Sequence, residues 1–221
     1  HLLVTADAEI PLKVVARYDL GLTAVRIRYG FGQSLSDGDP TFALSVGSER
    51  PTQATVEHIW PLAELDLTQG TRILFQAEAE DAYDLDGRHV GTSVARTLTV
   101  VSPVDKKNEI ASRQAAILEE LQRVYPAPER AHEQVSEVQT QTDQVGSLHP
   151  QDLDMLKRVE LDQRRIASQI LNPVDGIERR TTELIEQLRQ NEIDDAEMQN
   201  QLARIAEELG FEAGMFAGSV A

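Results

Sequence analysis

The 221-residue chain has no cysteine. Disulfides, thiolate metal sites and cysteine nucleophiles are therefore excluded. Aromatic residues make up only 5%, with a single tryptophan. Basic residues are scarce too: 21 Lys and Arg stand against 37 Asp and Glu, a formal net charge of −16. Affinity for a phosphate backbone rests on clustered Lys and Arg, so this balance argues against nucleic acid as a partner. No apolar run approaches the roughly 20 residues of a membrane-spanning helix. No signal-peptide pattern is present. Leu2-Leu3-Val4 already reads as strand directly after His1, so the chain is expected to be an excised segment of a longer protein. Any membrane contact is expected through segments outside it. What is present, 41% hydrophobic and 26% charged residues, fits a folded globular protein of one large or two small domains.

The composition changes near Ser102-Pro103. Residues 1–102 hold seven of the ten aromatics and eight of the 13 glycines, whereas residues 103–221 hold 13 glutamines against four. In the first part Leu12, Val14, Ala16 and Tyr18 alternate with Lys13, Val15 and Arg17. Val25, Ile27 and Tyr29 alternate with Arg26 and Arg28, and Ile73, Phe75, Ala77 and Ala79 with Gln76, Glu78 and Glu80. Period two with one polar face predicts half-buried strands whose other face is wet. Shorter strands are expected at 2–7, 42–46, 54–60 and 94–101, separated by turn signals such as Asp19-Leu20-Gly21 and Gln69-Gly70. About seven short strands in about 100 residues predict an antiparallel immunoglobulin-like β-sandwich over 1–102. Trp60 and Phe75, with Tyr29, are expected to fill the core where antibody domains carry a cysteine pair.

Residues 103–221 show helical period instead. Ile110, Gln114, Ile117, Leu121 and Val124 step by four and three. So do Ala131 to Val145, Leu156 to Ile170, Ile177 to Leu188 and Met198 to Leu209. These narrow stripes predict four or five helices in an all-α helical-hairpin or coiled-coil bundle. Breaks are expected at Pro126 with Pro128, at Gly146 to Pro150, at Asn172-Pro173, and at Asn191 to Asp195. Pro150 and Pro173 suit the first position of a helix. The fold class is thus α+β as two segregated domains, 1–102 and 103–221. Gln114, Thr142, Gln163 and Thr181 interrupt the stripes. Polar stripe positions fix register or partner choice at some loss of stability, so this half is expected to use protein partners or self-association. The packing residues that matter most there are Ile117, Leu121, Leu184, Leu188, Leu202 and Ile205. The apolar, glycine-rich ending Gly210 to Gly218 reads as the cut end of a further helix, with a docking tail as the alternative.

Catalytic constellations are sparse. The five histidines lack the i, i+4 spacing of a helical zinc site. Gly30-Phe31-Gly32 is followed by no third glycine or lysine of a nucleotide loop, and no Gly-x-Ser-x-Gly elbow exists. One acidic cluster stands out: Asp81, Asp84 and Asp86, with Glu80 before them and Gly87 closing the loop. Acidic loops can supply the six to eight oxygens that calcium takes. Asp81, Asp84 and Asp86 are therefore the candidate calcium ligands, although the distal glutamate of an EF-hand is missing. No other cofactor is expected.

The stretch Ala16-Arg17-Tyr18-Asp19-Leu20-Gly21-Leu22 through Arg28-Tyr29, then Trp60-Pro61-Leu62, Leu65 to Thr71, Phe75 to Asp81 and Val100-Val101-Ser102-Pro103, forms a motif series. Arg113-Gln114, Ile117-Leu118, Glu120-Leu121 and the turn Asn191-Glu192-Ile193 extend it. This series resembles the Ig-like-plus-helical segment of large uncharacterised envelope proteins of planctomycete-type bacteria. The resemblance covers residues 10–125 well and 160–209 loosely. It departs at Arg17-Tyr18, where the family carries acidic residues. It implies a non-catalytic part of a membrane-anchored protein on the periplasmic or extracellular face of the cell envelope. The expected role is therefore a structural or protein-interaction module. The alternatives are a calcium-dependent adhesion module, or an accessory segment of an enzyme whose catalytic domain lies elsewhere.

Overall fold

A computed structural model describes residues 1–46, 51–82 and 89–218, with residues 210–218 as backbone only. It shows a β-rich N-terminal region followed by helices. The chain divides into two compact units, His1–Lys107 with Gln190–Ile193, and Asn108–Arg189 with Asp194–Ala221. No helix is long and apolar enough to cross a membrane among the described residues.

The first unit carries strands β1 (Leu2–Val4), β2 (Glu9–Arg17), β3 (Leu22–Gly30), β4 (Thr41–Leu44), β5 (Gln53–Pro61), β6 (Arg72–Asp81), β7 (Val90–Thr92) and β8 (Arg96–Val100). They form two sheets. One has the order β1-β8-β6-β3-β4 with β7 also on β6, and the other is β2-β5. The expected all-antiparallel pairing fails in one place: β1 runs parallel to β8, Leu2 opposite Leu98 and Val4 opposite Val100. The period-two stretches became the long strands because each alternation buries one face. Ile10, Leu12 and Ala16 of β2 meet Val25, Ile27, Ile73 and Leu98 of the larger sheet in one core. Each such side chain contributes about 1.5–3 kcal/mol on burial. The aromatic rings join the two sheets where a disulfide is absent. Trp60 of β5 lies 5.2 Å from Tyr29, 5.4 Å from Phe42 and 5.8 Å from Phe75, ring centre to ring centre, in tilted or edge-on geometry.

Four strand expectations change. Strands were expected over 2–7 and 42–46, but β1 ends at Val4 and β4 at Leu44. The run 94–101 starts as a strand only at Arg96, because Ser93 bonds back to Ala77 and Val94 is thrown outward. Glu78 and Glu80 do not sit on a wet face. Both are buried, for the reason given below.

Residues 190–193 belong to the β unit through Asn191. Its Oδ1 accepts the Thr5 N–H at 2.9 Å, and Thr5 Oγ1 donates to the Asn191 carbonyl at 3.0 Å. Both residues are buried.

The helices are α1 (Pro103–Val124), α2 (Pro126–Val145), α3 (Pro150–Leu171), α4 (Ile177–Gln190) and α5 (Ala196–Gly218). In the second unit the expected stripes are buried at Ile110, Ile117, Val159, Ile166, Leu184, Leu188 and Leu202, while Leu121 and Ile205 are half-buried. Two stripe positions fail, since Val135 and Val145 are exposed. The expected break at Pro126 is present, with α1 ending at Val124 and α2 beginning at Pro126. Tyr125 keeps right-handed helical angles and its N–H still reaches the Leu121 carbonyl at 2.8 Å. Proline removes one donor there without turning the chain. A true reversal follows α2, where Gly146 adopts φ 75° and bonds to Thr142. α2 and α3 then pack together, and α3 packs on α5. Pro150 opens α3 as expected, with Asp152 accepting the His149 N–H at 2.8 Å. Pro173 does not open a helix. Asn172 Oδ1 accepts the Val174 N–H at 2.9 Å, an Asx-turn that places Pro173 in the connection instead.

Candidate functional site

Among the described residues of the β unit, a charged cluster lies on the outer face of the larger sheet. Val25 and Ile27 of β3 point into the core, so Arg26 and Arg28, which alternate with them, point out. On β6 Phe75, Ala77 and Ala79 point in, so Gln76, Glu78 and Glu80 point out. Register places Arg26 opposite Glu78, Arg28 opposite Gln76, and Ala24 opposite Glu80. The Glu78 carboxylate accepts from Arg26 Nε at 2.7 Å, Arg28 Nε at 2.5 Å, Arg28 Nη2 at 3.2 Å and Gln76 Nε2 at 3.4 Å. Arg26 Nη1 also reaches Glu80 Oε2 at 3.4 Å.

Arg28 does a second job. Its Nη1 donates to the carbonyls of Ser36 at 3.0 Å and Asp37 at 2.7 Å, which holds the 35–37 loop over the cluster. That loop, Val90, Thr92 and the charged residues enclose a cleft of about 310 Å³. The Glu78 side chain is left 5% exposed and that of Arg28 12%. The Arg28 hydrogen bond is the strongest influence on Glu78. It outweighs burial, which pushes the other way, and together with Arg26 and Gln76 it holds the carboxyl down at about 2. Arg28 is raised in turn by its bond to Glu78. Charge-assisted bonds of this kind are short and strong. With four N–H groups on it, the carboxylate has no lone pair left for proton abstraction or attack. The cluster fastens strands and loop.

The acidic loop is only partly in view. Asp81 ends β6, and its side chain is buried. Its Oδ1 accepts the His89 N–H at 3.2 Å, and its Oδ2 lies 3.4 Å from His89 Nδ1. Asp84 and Asp86 lie outside the described residues. Among the described residues no three His, Asp or Glu gather as a metal site. The Asp81 carboxylate is thus already engaged by its own hairpin.

The second unit carries its own polar pairs and one groove. Gln114 Nε2 donates to Gln201 Oε1 at 3.1 Å, linking α1 to α5. Arg113 donates to Gln187 at 3.0 Å and Arg180 pairs with Glu120, linking α1 to α4. Thr181 and Thr142 satisfy their hydroxyls on the carbonyls one turn back. The interruptions in the stripes are therefore satisfied internally, except for Gln163. That residue lines a groove of about 380 Å³ bounded by the end of α1, the start of α2, and α3.

Sequence reasoning missed the Arg26–Glu78–Arg28 cluster. The available signal was Arg-x-Arg on one strand and Glu-x-Glu on another, each on the polar parity. Alternation alone reads both as solvated, and only the pairing of β3 with β6 brings them together.

A scan against protein-family models finds no match, and searches of curated proteins and of solved structures find no similar chain.

Proposed function

We propose that the chain is a non-catalytic structural and protein-interaction module of a larger bacterial cell-envelope protein, built as an immunoglobulin-like sandwich followed by a helical-hairpin bundle. The carrying observation is the Arg26–Glu78–Arg28 cluster, whose charges fasten two strands and a loop. Strand order supports the sandwich reading. On this reading β3, β6 and β8 would correspond to strands C, F and G, β4 to C′, and β2 with β5 to B and E. The narrow buried stripes of α3 and α4 support the hairpin and coiled-coil reading. The envelope setting comes from the motif resemblance over residues 10–125.

The test is fractionation of the source cells, with the intact parent protein detected by antibody and challenged by protease added to whole cells. The reading expects a membrane-associated parent that external protease trims. A soluble, protected parent would move the module to the cytoplasm and remove the envelope role.

A further inference from the structure

We propose that the β unit is a load-bearing element, in which tension between its first strand and its exit after β8 is carried in shear by the parallel pair β1–β8 and by the Thr5–Asn191 bonds beside it. This gives the structural role above a mechanical content and rests on that reading.

The direction of β1 decides how load passes. Leu2 lies opposite Leu98, Leu3 opposite Thr99 and Val4 opposite Val100, with the strands parallel. The N-terminal ends of both strands therefore lie together, and the C-terminal ends lie together at the other end. Load that enters before Leu2 and leaves after Val100 pulls the two strands past each other along their own axes. The hydrogen bonds between them run across that direction, share the load and must yield together. In an antiparallel pair the same two points would lie at one end, and the pair would open bond by bond.

Both strands are anchored for such a load. β8 is held on its far side by β6, with Arg72 opposite Thr99 and Ile73 opposite Leu98. The Val100 N–H also donates to the Thr71 carbonyl at 2.9 Å, and the Gly70 N–H donates to the Val100 carbonyl at 2.8 Å. β8 is thus fixed, and β1 at the sheet edge is the strand that must slide. The Val101 N–H donates to the Val4 carbonyl at 2.8 Å. Backbone groups of alternate residues face the same neighbour, so Leu2 and Val4 both turn theirs to β8. Val4 and Thr5 are fully buried. Thr5 adds two bonds to Asn191, one from its N–H and one from its hydroxyl. A ladder of three residues is short, and this second fastening lengthens it. Forced unfolding is governed by the rate of opening and not by equilibrium stability alone, so one protein has different strengths along different directions.

The experiment is single-molecule pulling with optical tweezers on the full 221-residue chain. The chain has no cysteine, so two introduced cysteines alone set the attachment points. The shear pair joins a cysteine added before His1 to Val104→Cys, an exposed position just beyond β8. The peel pair joins the same added cysteine to Val94→Cys, an exposed position just ahead of β8, which puts both handles at one end of the β1–β8 pair. At equal pulling speed the β unit is expected to open at about twice the force or more in the shear pair, because several bonds yield at once. Leu2→Pro removes one ladder donor at the first residue of an edge strand, where proline is tolerated. It is expected to lower the shear force and to leave the peel force, which is set by bonds farther in, unchanged. Circular dichroism and Trp60 fluorescence confirm that each variant is folded. Equal forces in the two geometries overturn the proposal, as does a shear force that Leu2→Pro leaves at the wild-type value. Either failure leaves the envelope reading standing, because the cell fractionation reads that separately.

Discussion

Replacing Glu78 by glutamine keeps the shape of the side chain and removes the charge that Arg26 and Arg28 share. The carboxyl is held at about 2 in the folded protein, against 4.5 for an ordinary glutamate. At 1.36 kcal/mol per decade that difference is worth about 3 kcal/mol, an order-of-magnitude figure for a side chain this well buried. The folded value is depressed, so the stabilisation is fully present above pH 4.5. It declines as pH falls from there and is gone below about pH 2. Glu78→Gln should therefore lower unfolding stability at pH 7 by about 3 kcal/mol, within the range found when one partner of a buried pair is removed. The gap between the two proteins should close as both are titrated from pH 4.5 towards 2. Trp60 is the single tryptophan and is buried in the β unit, so its fluorescence during urea unfolding reports this unit specifically. Many carboxylates titrate over the same range, but the difference between the two proteins isolates Glu78. A gap of less than about 1 kcal/mol at pH 7, as for an exposed pair, would refute the reasoning. So would a gap that stays constant down to pH 2.

The other expectations concern packing, caps and the return segment. Asn191→Ala should leave the buried Thr5 N–H without its acceptor and cost about 1–3 kcal/mol, read by the same Trp60 fluorescence; a silent substitution would detach residues 190–193 from the β unit. Gly146→Ala puts a side chain on a backbone at φ 75° with open space around it. The loss should be about 1–2 kcal/mol from backbone strain alone, seen as a lower melting temperature of the helical signal. Leu202→Asp places a carboxylate where the leucine is fully buried, and loss of the side chain alone costs about 2–5 kcal/mol. Helicity by circular dichroism should fall sharply, and an unchanged spectrum would contradict the packing of α5.

The β-rich and helical halves were legible because their hydrophobic periods differ. Where apolar and polar residues alternate strictly, as along β2, β3 and β6, the sequence predicts both the strand and its inward face. One short element escaped. β7 has three residues and no alternation to detect, and Ser93 interrupts the edge by bonding to Ala77. The break at Pro126 was legible, whereas Pro173 misled, because Asn172 captures it into an Asx-turn. Val135 and Val145 kept the spacing of a stripe without a surface to bury against, since period reports a face and not its partner. The charged cluster was hidden for a related reason. Arg26, Arg28 and Glu78 lie on polar parities, and their burial depends on cross-strand register and on a loop that Arg28 itself holds down. Of the calcium candidates, Asp81 is engaged with His89, while Asp84 and Asp86 fall outside the described residues.

The central claim is that the helical unit is the interaction surface. A photo-activatable amino acid placed at Gln134, which lines the groove, tests it inside the source cells. A matched probe at Asp7, an exposed position of the β unit, serves as the control. The account predicts a discrete cross-linked product from position 134, and none from position 7. Equal labelling from both positions, or no product from 134, would contradict it.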